Sequence, residues 1–524
     1  MIQPHTNKYV RLTLIICTLN NLAACGSNNE NTAPNIQVNT PKLSVIQNSQ
    51  GILSATVSDN ENNLDMLHWQ QIGGQAQAII ENPNKASTRF LAPKLPGQYQ
   101  FRLTAVDKQG SQSQATINIE VKPVHEFAEP ALTKLMNSLY KMHQPLIANM
   151  ALSVTFNDLD FTWQGATGFA DIKEQLEMTP SHPFRVASIS KTITAAVTLK
   201  MIEMGKFDLD TQLSELLTDS DMPTGYLVAD LHEHNGMKRG GEITIRQLLD
   251  QSTGIKDYIS YLNDPMSPDY LALNSALKGT HQDAQMWSPQ DILRDMLDRK
   301  LTHNLQSPLG QHHVYSDSNA VLLGIVLEKI GKAPLHKLME QLVFSPLAMD
   351  STYMDFHEDH KGLTPVDHYY ILSKESHERD YPDYFYGNHN IPAIHMNTSF
   401  AWAGGGVVST LGDLNKFYSA IHDGTLIQDP QLQAQWLSWK ISTNEQGSEF
   451  YGLGLQSAIG ELDNYDTQIK MIGHAGSWGA LAFDFQPYNI RIIAWDSQFG
   501  TEAHWMFVEA VLVALEEMGY NKSF

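Results

Sequence analysis

The chain has 524 residues, 42% of them apolar, with 57 acidic against 35 basic side chains and a formal charge of −22. That length exceeds one ordinary domain, so at least two folded units are expected, each with a sizeable core. The acidic balance argues against nucleic acid as a partner, because a polyanion is held by clustered Lys and Arg.

In chain order, Lys8 and Arg11 precede a short apolar stretch at 12–19, and Leu22-Ala-Ala-Cys25 follows. A basic start, a brief apolar run and small residues make an export signal over 1–24. The tetrad resembles a bacterial lipobox, which implies acylation of Cys25 and anchoring in the membrane by its lipid. Gly26 resembles the sorting pattern for the outer membrane, facing periplasm or cell exterior, and a plain secretory signal with a chance cysteine is the alternative. With Cys17 lost and Cys25 acylated, the mature fold would hold no disulfide and no thiol nucleophile. Residues 25–36 are polar and turn-rich, as a flexible tether is. From 37 to 123 short alternating runs at 52–57, 67–71, 98–105 and 115–121 are separated by turn clusters, which predicts a β-sandwich. Asp59, Asn62 and Asp65 suit either a calcium site or, more simply, a polar turn, and the domain either binds a glycan or protein or acts as a spacer.

A linker is expected at 123–129 and an amphipathic helix from Pro130, with Leu132, Leu135, Met136 and Leu139 on one face. Strands at 150–156 and 161–165 come next, then a helix opening at Ser188. Strands at 480–485 and 490–495 and a helix from about 502 to 518 close the chain. This mixture predicts an α+β unit over 124–524, with helices covering an antiparallel sheet. Two long stretches, 256–310 and 356–400, lack dense core patterning and carry Tyr258, Tyr261, Tyr270, Tyr369, Tyr370, Tyr381, Tyr384, Phe385 and Tyr386.

Chemistry concentrates in Phe184-Arg-Val-Ala-Ser188-Ile-Ser-Lys191, which sets a hydroxyl and an amine three residues apart on one helix face. The helix N-terminus adds free N–H groups and positive dipole where a reaction would occur. Spacing alone does not single this serine out, since Ser138-Leu-Tyr-Lys141 and Ser275-Ala-Leu-Lys278 satisfy it too. Only the Ser188 copy is followed by Tyr315-Ser-Asp317-Ser-Asn319 ahead of an apolar run, and then by His474-Ala-Gly476-Ser477.

These three boxes in this order resemble the serine β-lactamase and penicillin-binding-protein superfamily, in its class C β-lactamase, D-alanyl-D-alanine carboxypeptidase and family VIII esterase branch. The segments Ile243-Thr-Ile-Arg-Gln-Leu-Leu-Asp-Gln-Ser-Thr-Gly254, Ser345-Pro-Leu-Ala-Met-Asp-Ser-Thr352, Gly404-Gly-Gly-Val-Val-Ser-Thr410 and Tyr451-Gly-Leu-Gly454 extend the likeness over roughly 126–524. The stretch from Val57 to Gly110 resembles polycystic-kidney-disease-type (PKD) immunoglobulin-like domains. The first resemblance implies a β-lactamase/DD-peptidase-like fold, with the two long insertions walling the substrate cleft. It also implies an acyl-enzyme on Ser188, Lys191 as base and Tyr315 as second proton carrier. His474 is expected to hold Tyr315 and contact a substrate carboxylate, as imidazole or imidazolium. Gly476 is expected to let substrate approach its strand, and the N–H groups of Ser477 and Ser188 to form an oxyanion hole. Asp317 stands where the commonest family pattern has Asn, and a carboxylate there would favour protonated Lys191 and shift base work to Tyr315.

No cofactor or metal is implied. His232-Glu-His234 and His312-His313 lack the spacing of a helical metal pair, and no Gly-x-Ser-x-Gly elbow surrounds Ser188, Ser409 or Ser477. The expected substrate is a D-amino-acid peptide, with peptidoglycan as a possible source, or a small ester. A β-lactam is a further alternative. So is a non-catalytic envelope protein that binds cell-wall peptides.

Overall fold

The computed structural model describes residues 31–524 apart from 145–146, 260–265, 281–283, 367, 373–386, 393–394, 463–464, 466, 498–502 and 521–524. The signal and Cys25, and Tyr261, Tyr381, Tyr384, Phe385 and Tyr386, lie outside the described residues.

Strands β1 (Asn35–Val38), β2 (Lys42–Ile46), β3 (Gln50–Ser58), β4 (Leu64–Gly73), β5 (Ile79–Ile80), β6 (Ser87–Leu91), β7 (Gly97–Asp107) and β8 (Gln112–Lys122) come first. They form two four-stranded sheets, β1-β3-β6-β5 and β2-β8-β7-β4, antiparallel except for the parallel pair β2–β8. Leu53, Trp69, Phe90, Phe101, Leu103 and Ile119 fill the space between them. Alternation in the sequence of β7 and β8 puts every second side chain into that core, as a half-buried strand requires.

Helix α1 begins at His125 and ends at His143, with Pro130 inside it and not at its start. The expected linker is therefore already helical. Val124, Ala128 and Leu132 recur at four-residue spacing and are all buried, so the apolar face begins ahead of the proline and overrides its missing N–H. After α1 come β9 (Asn149–Phe156), β10 (Phe161–Asp171), β11 (Leu176–Glu177) and β12 (Phe184–Arg185), then α2 (Ile189–Glu203). Short elements follow: α3 (Leu213–Leu216), the hairpin β13 (Glu233–His234) and β14 (Met237–Lys238), and α4 (Ile245–Leu249). Helices α5 (Pro268–Leu277), α6 (Pro289–Asp298), α7 (Asp317–Gly331) and α8 (Leu335–Met339) complete the helical side with α9 (Trp402–Gly405), α10 (Leu411–His422) and α11 (Pro430–Ser438). Among them run β15 (Tyr353–Met354), β16 (His368–Leu372), β17 (Gly387–Ile391) and β18 (Val407–Ser409). The chain then forms β19 (Lys440–Ser442), β20 (Glu449–Gly452), β21 (Gln456–Glu461), β22 (Gln468–Gly476), β23 (Ala480–Gln486), β24 (Ile490–Asp496) and helix α12 (Ala503–Glu517).

The nine-stranded sheet has the order β11-β10-β9-β24-β23-β22-β21-β20-β19, antiparallel at every pairing. Successive residues of β23 face opposite layers: Leu481 and Phe483 pack with α1 and α12, Ala480 and Ala482 with α2. Helix α2 is buried on nearly all sides, from Ile189 to Leu199 without a break, which explains why its sequence carries no polar stripe. The sandwich meets the second unit where Gln50 N–H donates to Gly519 O at 2.6 Å and Gln47 Oε1 accepts the N–H of Val124 at 3.0 Å. Among the described residues, no helix is long and apolar enough to cross a membrane.

Candidate active site

Ser188 is the N-cap of α2 and is half-buried, on a loop delivered by β12. Arg185 anchors that loop from beneath: its Nε donates to Asp355 Oδ2 at 2.9 Å and its Nη2 to Met396 O at 3.1 Å, with both ends of the ion pair buried. Burial opposes the charge on Asp355, but Arg185 and His360 outweigh it and hold the carboxyl below the usual range. Ala187 takes φ of 45°, a left-handed conformation that an L side chain adopts at a cost of about 1–2 kcal/mol. The kink turns the chain from strand into helix at the serine.

Gly476 ends β22 against this same loop. A Cβ on it would stand 2.3 Å from Val186 O and 3.0 Å from the Ala187 Cβ. The expected reason for this glycine was approach of substrate; the structure gives another, the packing of one backbone on another just ahead of Ser188. Ser477 follows in the tight turn to β23 and is exposed. Among the described residues no acceptor takes the N–H of Ser188 or of Ser477, so both donors are available to a developing oxyanion.

Lys191 Nζ lies 2.9 Å from Ser188 Oγ, 2.7 Å from Asp317 Oδ1 and 3.0 Å from Gly404 O. The last two can only accept, so two N–H bonds go to them. The remaining position serves either a third N–H of an ammonium or the lone pair of an amine facing the serine O–H. The same three neighbours therefore fit lysine before and after it takes a proton from Ser188. Gly404 is needed for this arrangement, since a Cβ there would meet Asp317 Oδ1 at 2.3 Å. Gly454, at φ of 73°, packs on the Lys191 turn in the same manner, with a Cβ 2.5 Å from that of Ala195.

Sequence reasoning passed over what the segment 251–258 does. It is a cradle for the start of α7. Gln251 Oε1 accepts the Ser316 N–H at 3.0 Å and the Asn319 Nδ2 at 2.6 Å, while Thr253 Oγ1 donates to Asn319 Oδ1 at 2.5 Å. Ser318 Oγ donates to Lys256 O, and Asp257 Oδ1 accepts the Asp317 N–H at 3.1 Å. Tyr315 is thereby fixed with Lys191 Nζ 4.9 Å from its ring centroid.

His474 corrects one expectation. Its side chain is wholly buried on β22, in the middle of the sheet, and burial together with the charge of Lys191 pushes its pKa down to about 3. The ring is neutral near pH 7, which removes the imidazolium alternative, and no cation is presented to a substrate carboxylate. Nδ1 lies 2.6 Å from Ala475 O and must donate, so Nε2 accepts the Tyr451 hydroxyl at 3.0 Å. Tyr451, buried and held as a phenol well above its ordinary pKa chiefly by desolvation, sets its ring edge-on to Tyr315 at 5.8 Å. His474 thus meets Tyr315 both directly, with ring centroids 6.3 Å apart, and through Tyr451, a residue seen beforehand only as part of the Tyr451–Gly454 likeness.

The rival tetrads sit elsewhere. Ser138 and Lys141 are exposed on α1, and Ser275 and Lys278 fall at the end of α5. Tyr258, expected on the cleft wall, is a core residue whose hydroxyl donates to Phe400 O at 2.5 Å. His232 is buried with its pKa lowered by desolvation, and His234 Nδ1 bonds Leu305 O. His313 lies tilted against Tyr451, ring centroids 5.4 Å apart, and its pKa is pushed down to about 4 by burial. It lines a cleft of about 330 Å³ beside Tyr315 with Phe450, Tyr451 and Gln456.

Against known families, residues 145–493 match the Beta-lactamase model and residues 33–121 match a PKD domain model. Penicillin-binding protein 4* of Bacillus subtilis is 21% identical over 333 residues, covering 61% of this chain and 61% of that protein. The human mitochondrial serine beta-lactamase-like protein LACTB is 22% identical, covering 49% and 50%. The chain thus spans about half to three fifths of the length of these relatives. Among solved structures, D-amino acid amidase from Ochrobactrum anthropi SV3 complexed with D-phenylalanine superposes with a TM-score of 0.57 at 18% identity, covering 74% of this chain and 98% of that one. A D-stereospecific amidohydrolase from Streptomyces sp. gives 0.55 at 22%, covering 73% and 98%. EstCE1, a hydrolase with promiscuous acyltransferase activity, gives 0.55 at 17%, covering 75% and 100%. With the family model matching two thirds of its length, the chain belongs to the beta-lactamase family of serine hydrolases and carries a PKD domain ahead of the catalytic fold.

Proposed function

We propose that the protein is an exported hydrolase that forms an acyl-enzyme on Ser188 and acts on amides or small esters, D-amino-acid amides foremost, whose reacting end bears no carboxylate. The contact set of Lys191 carries this reading. Neutral Lys191 takes the Ser188 proton as Oγ attacks the acyl carbon, and the resulting ammonium lies against Asp317 at 2.7 Å. The N–H groups of Ser188 and Ser477 receive the oxyanion, and Tyr315 passes a proton to the leaving amine or alkoxide. Water then attacks the ester, with the same groups working in reverse.

Preference for a neutral substrate follows from charge. His474 is neutral and buried, His313 is neutral near pH 7, and Arg185 is spent on Asp355. Among the described residues around Ser188, no cation besides Lys191 is placed to hold a substrate carboxylate. That disfavours D,D-carboxypeptidase and β-lactamase activity, and the amidase and the hydrolase with promiscuous acyltransferase activity named among the structural neighbours agree with the remaining class. The lipobox-like Leu22-Ala-Ala-Cys25 would place the enzyme on the cell envelope, tethered ahead of the PKD domain. The test is kcat/KM for a D-amino-acid amide, a small ester, and a D-Ala-D-Ala peptide with and without its terminal carboxylate amidated. Amidation should raise the rate; a strong preference for the free carboxylate would overturn the proposal.

A further inference from the structure

The cleft beside Tyr315 has no part in the proton transfers described above. His313 and Tyr315 line it from the segment that leads into α7, Phe450 and Tyr451 from β20, Phe483 from β23 and Trp505 from α12. Six rings thus meet around about 330 Å³, within the roughly 300–1,000 Å³ typical of ligand pockets. They brace one another: ring centroids of His313 and Tyr315 lie 5.4 Å and 5.8 Å from that of Tyr451, and Trp505 lies 5.5 Å from buried Phe483. A buried contact fixes Trp505 in turn. His504, beside it in the first turn of α12, has its Nδ1 2.8 Å from Asp496 Oδ2 at the end of β24. The lining carries one charged side chain, Glu449, while Lys440 Nζ lies 4.2 Å from the centroid of the Phe450 ring. Charges of both signs are therefore near and neither is selected, which leaves the rings to decide what fits.

Of the groups assigned to acyl transfer, Tyr315 lines this cleft, and Ser188, Lys191 and Ser477 do not. We propose that the cleft is the leaving-group subsite and selects an amine or alcohol that bears an aromatic ring. In acylation the bond from the acyl carbon to the departing nitrogen or oxygen breaks as the bond to Ser188 Oγ forms. The Oγ proton goes to Lys191, the departing atom takes a proton from Tyr315, and the ammonium of Lys191 makes good the proton that Tyr315 has lost. Whatever the departing atom carries therefore starts at Tyr315, a wall of the cleft, where Phe450, Tyr451 and Trp505 offer tilted and edge-on partners to a further ring. None of this lining comes from 256–310 or 356–400, so leaving-group choice is made by β20, the approach to α7 and the start of α12, and not by the long insertions. The inference rests on Ser188 and Tyr315 acting as proposed above.

The experiment compares kcat/KM for D-alaninamide and D-alanine benzylamide, which share one acyl-enzyme and release amines of nearly equal basicity. Burial of the benzyl ring should favour the second substrate by roughly 10- to 100-fold. Trp505→Ala should cut that ratio by about tenfold, and Trp505→Phe should restore most of it. A parent that does not distinguish the two amides, or a Trp505→Ala enzyme slowed equally on both, would overturn the proposal. Should Trp505→Ala give no folded thermal transition, Phe450→Ala takes its place with the same expectation. Saturation-transfer NMR of N-benzylacetamide with the Ser188→Ala protein separates this inference from the reading beneath it. Transfer to the ring protons that is lost when Trp505→Ala is added supports the subsite, and its absence, or its survival in that double variant, refutes it. A parent that turns over neither amide and takes no label on Ser188 would instead sink the hydrolase reading.

Discussion

Replacing Gly476 with alanine tests whether the end of β22 sets the position of the nucleophile. The new methyl would lie 2.3 Å from Val186 O and 3.2 Å from the Val186 carbonyl carbon. A carbon–oxygen contact relaxes near 3.4 Å, so one of the two backbones must retreat by about 1 Å. Neither neighbour is the tip of a flexible side chain. Val186 is held by its N–H to Val407 O at 3.0 Å, and β22 is paired to β23 through to Gly476 itself. Overpacking of this kind costs about 1–3 kcal/mol, and a shift of about 1 Å at a reacting group costs roughly 10²-fold in rate. Because the displaced residues immediately precede Ser188, kcat should fall about 100-fold, and melting should drop by the few degrees that such a loss implies. Gly460→Ala on adjacent β21, where nothing lies within 4 Å of the added methyl, is the control and should change neither. A Gly476→Ala enzyme within threefold of the parent would refute the reasoning and return this glycine to substrate contact alone.

Asp317→Asn removes a charge 2.7 Å from Lys191 and should move the acidic limb of the pH–rate profile downward; a curve that overlays the parent would mean that Asp317 only accepts hydrogen bonds there. His474 is held neutral with its pKa lowered from 6.5 to about 3, so below pH 6.5 the unfolded chain takes up a proton that the native state refuses. Stability from this group is complete above that pH and is lost as pH falls toward 3, at up to about 1.4 kcal/mol per unit. His474→Gln should therefore flatten the fall of the urea midpoint between those pH values, and equal slopes would contradict the assignment. Cys25→Ser should release the protein from membranes, checked by fractionation after a high-salt wash.

The strands with strict alternation were legible in sequence, as β7 and β8 show, because one face packs on Trp69 and Phe101 while the other meets water. Four sandwich strands were not read. β5 has two residues and β1 four, too few for a period-2 pattern to stand out. The apolar spacing of Leu132, Leu135, Met136 and Leu139 predicts a helix from Pro130, whereas buried Val124 and Ala128 show that packing starts it earlier. Within the candidate site, Ser188, Lys191 and Asp317 were readable because local spacing and box order mark them. Asp257, Gln251 and Tyr451 were not, since each reaches its partner across 60 or more residues or through a buried ring, and only the fold brings them together. His474 was found, but its charge state depends on burial, which a motif does not display.

The central claim is that Ser188, activated by Lys191, becomes acylated. Intact-protein and peptide mass spectrometry after exposure to a fluorophosphonate, a D-amino-acid ester and a penicillin tests it directly. The account predicts one adduct per chain from the fluorophosphonate and the D-amino-acid ester, mapped to Ser188, abolished in Ser188→Ala and retained in Ser138→Ala and Ser275→Ala. Label on another residue, or turnover surviving in Ser188→Ala, would contradict it.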